Sequence, residues 1–222
     1  SYTVNDWFNQ VQPKEIADLK LLYALGQGNG IIMTTFPVEK FEDLKGRQIR
    51  CGDSQAPIIK AYGATPTVMV FSEVYEGLRT GVVEGFYGLA AAGKNAKLYE
   101  VTKYAVKDPF YIGTYLMVMN QDVWNSLSEA QQKAITETTA KAFDEFLAAG
   151  RDADAEEAYK TFEENGLKVV EFDQANLDKM IGASGYLQKD YAKELDSKGY
   201  NGTKNLDLFF ELAEKYNAQF AK

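Results

Sequence analysis

Apolar residues recur along this chain with two alternating periods, and that alternation predicts an α/β fold. Val4, Trp7, Phe8 and Val11, then Ile16 and Leu19, follow a helical repeat with a turn at Pro13. The apolar run 21–25 reads as a buried strand leading into Gly26, Gly28 and Gly30, and residues 31–35 read as a second strand. Further strands are expected at 48–51, 68–70, 82–86, 111–119 and 167–172. Helices are expected at 56–62, closed by Gly63, and at 73–78, with Ser72 as N-cap. Ser128-Glu129-Ala130-Gln131 matches a capping box, and helical periodicity then persists to Asn165-Gly166. A helix over 129–164 measures roughly 54 Å, more than the width of either lobe a chain of this length builds. It is expected to run past both, with Gly150 as the place for a bend. Two more amphipathic helices follow, at about 174–198 and 204–220.

Composition narrows the function classes more than the fold. With 222 residues, 45% of them hydrophobic, the chain can bury a core in one large domain or two small lobes. No apolar run approaches the roughly 18 residues of a membrane span. The net charge of −8 and the absence of a Lys/Arg cluster argue against nucleic acid as a partner. They leave an anionic ligand open, because one buried Arg overrides the overall field locally. The chain has no histidine, which excludes His-based triads, His-ligated metals and His proton shuttles. A single cysteine, Cys51, excludes an internal disulfide, a CxxC pair and a Cys-rich zinc site. No cofactor and no metal are expected. Gly26-x-Gly28-x-Gly30 does not meet the dinucleotide fingerprint, since a strand and not a helix follows it; it reads as a backbone crossing or hinge.

Motifs in the middle of the chain carry a family resemblance. Residues 41–50 contain Asp43-Leu44-Lys45-Gly46 followed by Ile49-Arg50. Gly63-Ala64-Thr65-Pro66, Met69, Phe71-Ser72-Glu73-Val74-Tyr75, Leu78 and Gly81-Val82-Val83-Glu84-Gly85 come next. Lys97 to Tyr104 and Asn120 to Leu127 complete the set. Over about residues 20–170 this pattern resembles the solute-binding proteins of TRAP (tripartite ATP-independent periplasmic) transporters.

The resemblance implies a two-lobed periplasmic-binding-protein fold, class II-like, with hinge strands and a long helix lying across both lobes. Family members open with a βαβ segment that has no counterpart after Ser1, so the first lobe is expected to be incomplete. The implied division sets 1–27 and 113–152 in the first lobe and 28–112 and 153–222 in the second. A periplasmic location is implied, with any signal peptide removed or outside this chain, since residues 1–6 lack a charged n-region and an apolar h-region. The implied role is capture of a small organic monocarboxylate between the lobes and its delivery to the membrane permease subunits.

The candidate ligand residues follow from the same match. Arg50 corresponds to the arginine that clamps the substrate carboxylate; a planar guanidinium offers a carboxylate two parallel donors. Phe71 falls on a position that packs against the ligand. Gly88 stands where many relatives carry an Asn, and Gly30 where many carry a second Arg. Phe86 and Tyr87 are expected to supply an aromatic wall instead, suited to a ligand less polar than a sugar acid. Asn29, Thr114 and Tyr115 lie near other contact positions. Two other roles compete: a ligand-sensing module on the same fold, and an enzyme working through paired carboxylates. For the second, Asp53, Glu73 and Glu84 have plainer uses, as a turn former, a helix N-terminal charge and a strand-end acid.

Overall fold

A computed structural model describes residues 1–28 and 30–220, with no side-chain detail at 148–152. The chain begins with α1 (Tyr2–Val11), β1 (Leu19–Gln27), β2 (Gly30–Thr34) and β3 (Gln48–Cys51). Next come α2 (Ala56–Ala61), β4 (Thr65–Val68), α3 (Val74–Thr80), β5 (Gly85–Leu89), α4 (Ala90–Asn95), β6 (Tyr104–Asp108) and β7 (Gly113–Asn120). The rest is largely helical: α5 (Gln121–Ser126), α6 (Glu129–Ala142), α7 (Ala148–Glu164), β8 (Lys168–Val170), α8 (Gln174–Ser184), α9 (Tyr186–Ser197) and α10 (Gly202–Phe220). Two compact units result: Ser1–Gln27 with Ile112–Arg151 and Tyr191–Lys222, and Gly28–Tyr111 with Asp152–Asp190.

In the first unit β1 and β7 form an antiparallel ribbon from Leu19 opposite Asn120 to Gln27 opposite Gly113, with a shift of register between Leu21 and Tyr23. The helices α1 and α10 are tied together by polar contacts and rings. The Trp7 indole donates to the Asn205 carbonyl at 2.7 Å, and the Tyr216 hydroxyl to Asp6 at 3.0 Å. Tyr2 stacks on Tyr216 and Phe220. These contacts explain a difference from the expected division, in which all of 153–222 belonged with the second lobe: Tyr191–Lys222 joins the first unit because α10 finds its partner in α1.

The second unit is built on a six-stranded sheet of order β4-β3-β5-β2-β6-β8. β3 runs parallel to β4 and β5, β6 runs parallel to β8, and β2 is antiparallel to both its neighbours. One face packs Ile31, Met33, Phe86 and Ala105 under α3 and α7, through Val74, Leu78, Ala158 and Phe162. The other packs Ile32, Ile49, Cys51, Tyr87 and Val106 against Ile59 of α2 and Met180 of α8. With both faces covered, these strands are buried rather than half-exposed, as the run of fully buried residues in β2 and β5 reflects.

Several elements depart from the sequence expectation. The helix ends at Val11, and Leu19 opens β1. β4 lies at Thr65–Val68 instead of 68–70; it is the edge strand, where Pro66 is tolerated. β5 starts at Gly85 rather than 82, past the left-handed Gly81 that closes α3. Ser72 lies in a short 3-10 turn, Phe71–Glu73, instead of capping α3. The helix expected over 174–198 is two helices, divided around Gly185. From 129 to 164 the chain is helical throughout and contributes to both units, but its hydrogen bonding changes at a π turn over Phe143–Leu147, not at Gly150. Ser128 accepts from the Gln131 amide and Gln131 reaches back to the Ser128 N–H, the expected capping box.

Candidate functional site

The second unit gathers its unusual chemistry at the carboxyl ends of β3 and β4 and beside the adjoining strand β5. Connections from β3 pass to β4 on one side, while β5 flanks β3 on the other. Such a switch point opens a crevice at the strand ends in α/β sheets. Arg50, one residue from the end of β3, stands in register with Thr67 on β4 and Phe86 on β5. All three therefore share one face of the sheet.

Arg50 is only 7% exposed, and its guanidinium is held in a defined way. Nε and Nη2 both donate to the carbonyl oxygen of Met69, at 3.0 and 2.7 Å. That uses the side edge of the fork and leaves the Nη1/Nη2 end edge uncommitted. Among the described residues Arg50 makes no ion pair, and no fully buried side-chain nitrogen lacks a partner. Nη1 is consequently reachable from solvent. The rings of Phe71 and Phe86 each lie 5.6 Å from the guanidinium carbon, within cation–π range. Burial pulls the Arg50 pKa down, with Cys51 and Tyr111 nearby acting in the other direction. An arginine starts so high that the group keeps its charge. The result is a positive group in a low-polarity setting with one donor edge free, an arrangement that favours a bidentate carboxylate.

Phe71 and Phe86 differ in access. Phe71 is 44% exposed, just past β4, whereas Phe86 is buried at 1%. Their ring centroids are 6.0 Å apart. Gly88 lies two residues along β5 on the same face as Phe86, and the tip of the Phe86 ring covers it. A Cβ at position 88 would meet Phe86 Cε1 and Cε2 at 3.1 Å and Cζ closer still.

The structure does not bring all the expected residues together. Tyr87 follows Phe86 on the same strand and so points to the opposite face, where its hydroxyl donates to Asp108 at 2.7 Å. It forms no part of a wall beside Arg50, because consecutive strand residues alternate. Thr114 and Tyr115 are exposed on β7, in the first unit. Asn29 lies outside the described residues. Gly30 is a close-approach position: a Cβ there would lie 2.7 Å from that of Tyr111 and 3.0 Å from the Asp108 carbonyl. Cys51 is fully buried on the Tyr87 face. Glu84 accepts from Arg47 at 2.8 Å and from the Gln48 N–H at 3.1 Å.

Two features went unrecognised in the sequence, one beside Arg50 and one on the opposite face of the sheet. One is the Met69 carbonyl, which no side-chain pattern can announce. The other is Asp108, buried at 1% and accepting from Tyr87, Tyr62 and the Phe110 N–H. Among the described residues no three His, Cys, Asp or Glu side chains come together as a metal site, and no helix is long and apolar enough to cross a membrane.

Comparison with known proteins places this geometry in context. The family model of the bacterial extracellular solute-binding proteins, family 7 (DctP), matches residues 5–194. A solute-binding protein of Sulfitobacter sp. strain NAS-14.1 is 33% identical over 187 residues, 82% of this chain and 55% of its own length. The ectoine-binding periplasmic protein TeaA of Halomonas elongata is 31% identical over 140 residues, covering 61% of this chain and 41% of its own. The chain thus spans about half the length of the curated relatives it matches. Among solved structures, a TRAP periplasmic solute-binding protein from Bordetella bronchiseptica with bound (R)- and (S)-mandelate superimposes with a TM-score of 0.79. It is 25% identical, over 96% of this chain and 70% of that one.

Proposed function

The chain belongs to family 7 of the bacterial extracellular solute-binding proteins, a family of solute binders and not of enzymes, and on that footing we propose that it captures a small organic monocarboxylate for a TRAP transporter. Arg50 is the carboxylate anchor, and the loaded protein delivers the acid to the membrane permease subunits on the periplasmic side. The observation that carries this reading is the Arg50 guanidinium itself. It is buried and locked on one edge by the Met69 carbonyl, it is bracketed by two rings, and it has no ion pair among the described residues. A buried cation without a counter-ion is costly unless a ligand supplies one. The mandelate-bound relative agrees with the reading, since mandelate carries one carboxylate.

The test is calorimetric titration of small carboxylic acids into the chain and its Arg50→Gln variant, with a thermal-shift screen to choose the acids. Removing one partner of a desolvated charge pair costs about 2–5 kcal/mol, so Arg50→Gln is expected to weaken the acid at least thirtyfold, roughly. Arg50→Lys recovers only part, because an ammonium lacks the planar fork. Equal affinity in parent and Arg50→Gln, or binding of no acid by the parent, overturns the assignment.

A further inference from the structure

The end of β3 carries a second donor beside the guanidinium. Arg50 is in register with Thr67 and Cys51 with Val68, so one further step sets Gly52 level with Met69. The Met69 carbonyl holds the Arg50 fork at 3.0 and 2.7 Å, which brings the guanidinium forward to the level of Gly52. The backbone at Gly52 is still extended (φ −77°, ψ 164°), so this position faces the same side of the sheet as Arg50. Glycine leaves that side open, and the Gln55 carboxamide fills it: a Cβ at 52 would lie 3.2 Å from Gln55 Oε1.

Gln55 is 8% exposed, and its carboxamide is held by the oxygen alone. Oε1 accepts from the Gly52 N–H at 2.7 Å, which fixes the way the group points. Nε2, with its two N–H donors, has no hydrogen-bond partner among the described residues. No fully buried side-chain nitrogen lacks a partner, so Nε2 is reachable from solvent. Closing the turn at Gly52 needs only the oxygen. It gives no reason to bury an amide with both donors uncommitted, since such a group loses water unless a partner replaces it.

We propose that Gln55 Nε2 is a second ligand contact, donating to an oxygen at C2 of the acid whose carboxylate Arg50 holds. The inference rests on Arg50 as the carboxylate anchor. Guanidinium and amide nitrogen present donors only, so the ligand must supply acceptors to both. A 2-oxo acid does so with the carbonyl oxygen next to its carboxylate, and a 2-hydroxy acid through its hydroxyl oxygen. An unsubstituted acid leaves the amide without a partner. A 2-amino acid turns an ammonium, itself a donor, toward it.

The experiment titrates 2-oxobutanoate and butanoate, equal in charge and chain length, into the parent, Gln55→Met, Gln55→Glu and Arg50→Gln, and reads the ratio of the two affinities. The parent should prefer the 2-oxo acid by about threefold to tenfold, the scale of one neutral hydrogen bond. Gln55→Glu keeps an oxygen for the Gly52 N–H, so the turn survives while the donor is lost; Gln55→Met removes both. Each variant should bring the ratio close to one. A role confined to the turn would instead weaken both acids together in Gln55→Met and leave the ratio alone. A ratio near one in the parent, or a ratio unmoved in Gln55→Met and Gln55→Glu, overturns Gln55 as a ligand contact. If Arg50→Gln still abolishes binding of both acids in that case, the anchor stands. Binding of neither acid by the parent, or unchanged binding in Arg50→Gln, overturns the anchor and the Gln55 contact with it.

Discussion

Replacing Tyr87 by Phe removes one oxygen from the buried cluster around Asp108, and the cost should depend on pH in a direction the structure dictates. Asp108 is almost fully buried and makes no ion pair among the described residues. Its Oδ2 accepts from the hydroxyls of Tyr87 at 2.7 Å and Tyr62 at 3.2 Å, and its Oδ1 from the Phe110 N–H at 2.9 Å. Burial raises the Asp108 pKa more than these donors lower it, so the net direction is upward. Folding then favours the protonated acid. Below the ordinary carboxylate range Asp108 is protonated in both states and contributes no pH dependence. As pH climbs from that range through the raised value, stability falls, and above it the loss is constant. Tyr87 is the strongest of the compensating donors, so Tyr87→Phe pushes the Asp108 pKa further up and widens the window. At low pH the variant loses a neutral hydrogen bond, about 0.5–1.5 kcal/mol, and at high pH one to a carboxylate, about 1.5–3 kcal/mol. Urea unfolding of parent and variant across roughly pH 4 to 8 measures the difference, and Asp108→Asn should flatten the slope. A Tyr87→Phe cost that is constant or shrinks as pH rises would refute this account, as would a slope that persists in Asp108→Asn.

Other features give simpler tests. Gly30→Ala forces a Cβ against Tyr111 and the Asp108 carbonyl and should cost about 1–3 kcal/mol by overpacking. Gly28→Ala meets nothing within 4 Å and should be neutral or stabilising by up to about 1 kcal/mol; thermal melts in which both cost the same would show the crossing is not tight at Gly30. Cys51 is buried and its thiol pKa is raised, chiefly by that burial, so a thiol reagent should label it far more slowly in buffer than in urea, and equal rates would contradict the packing. Ser128→Ala removes the hydroxyl cap of α6 and should cost about 1 kcal/mol in urea unfolding; no loss would mean the cap is redundant.

What could be read from the sequence divides along physical lines. The strand at Gln48–Cys51 and the capping box at Ser128 were legible because short-range patterns determine them. The place of Arg50 in β3 was legible from the strand pattern, whereas its proposed role comes from motif resemblance, since a strand-end arginine alone does not distinguish a ligand clamp from a surface pair. β6 was not, because Lys107 and Asp108 look like loop polarity; only tertiary contact with Tyr87 and Tyr62, 21 and 46 residues away, shows Asp108 as a buried strand end. The boundaries of β4 and β5 were shifted by two or three residues because apolar runs at 68–70 and 82–83 include exposed valines.

The most instructive misreading is the Phe86-Tyr87 pair, expected as one aromatic wall. On a strand the two cannot share a face, and β5 puts them to different uses. Phe86 faces the Arg50 side, held down over Gly88, while Tyr87 ties the opposite face to Asp108. The register of β5 is thus specified twice, by an apolar contact on one face and a hydroxyl-to-carboxylate bond on the other. A slip of one residue would place a phenyl ring against Asp108 and a hydroxyl inside the apolar layer beneath α3 and α7, so both faces oppose it. That double specification keeps the Phe86 ring, and through it Phe71 and the guanidinium, in one arrangement.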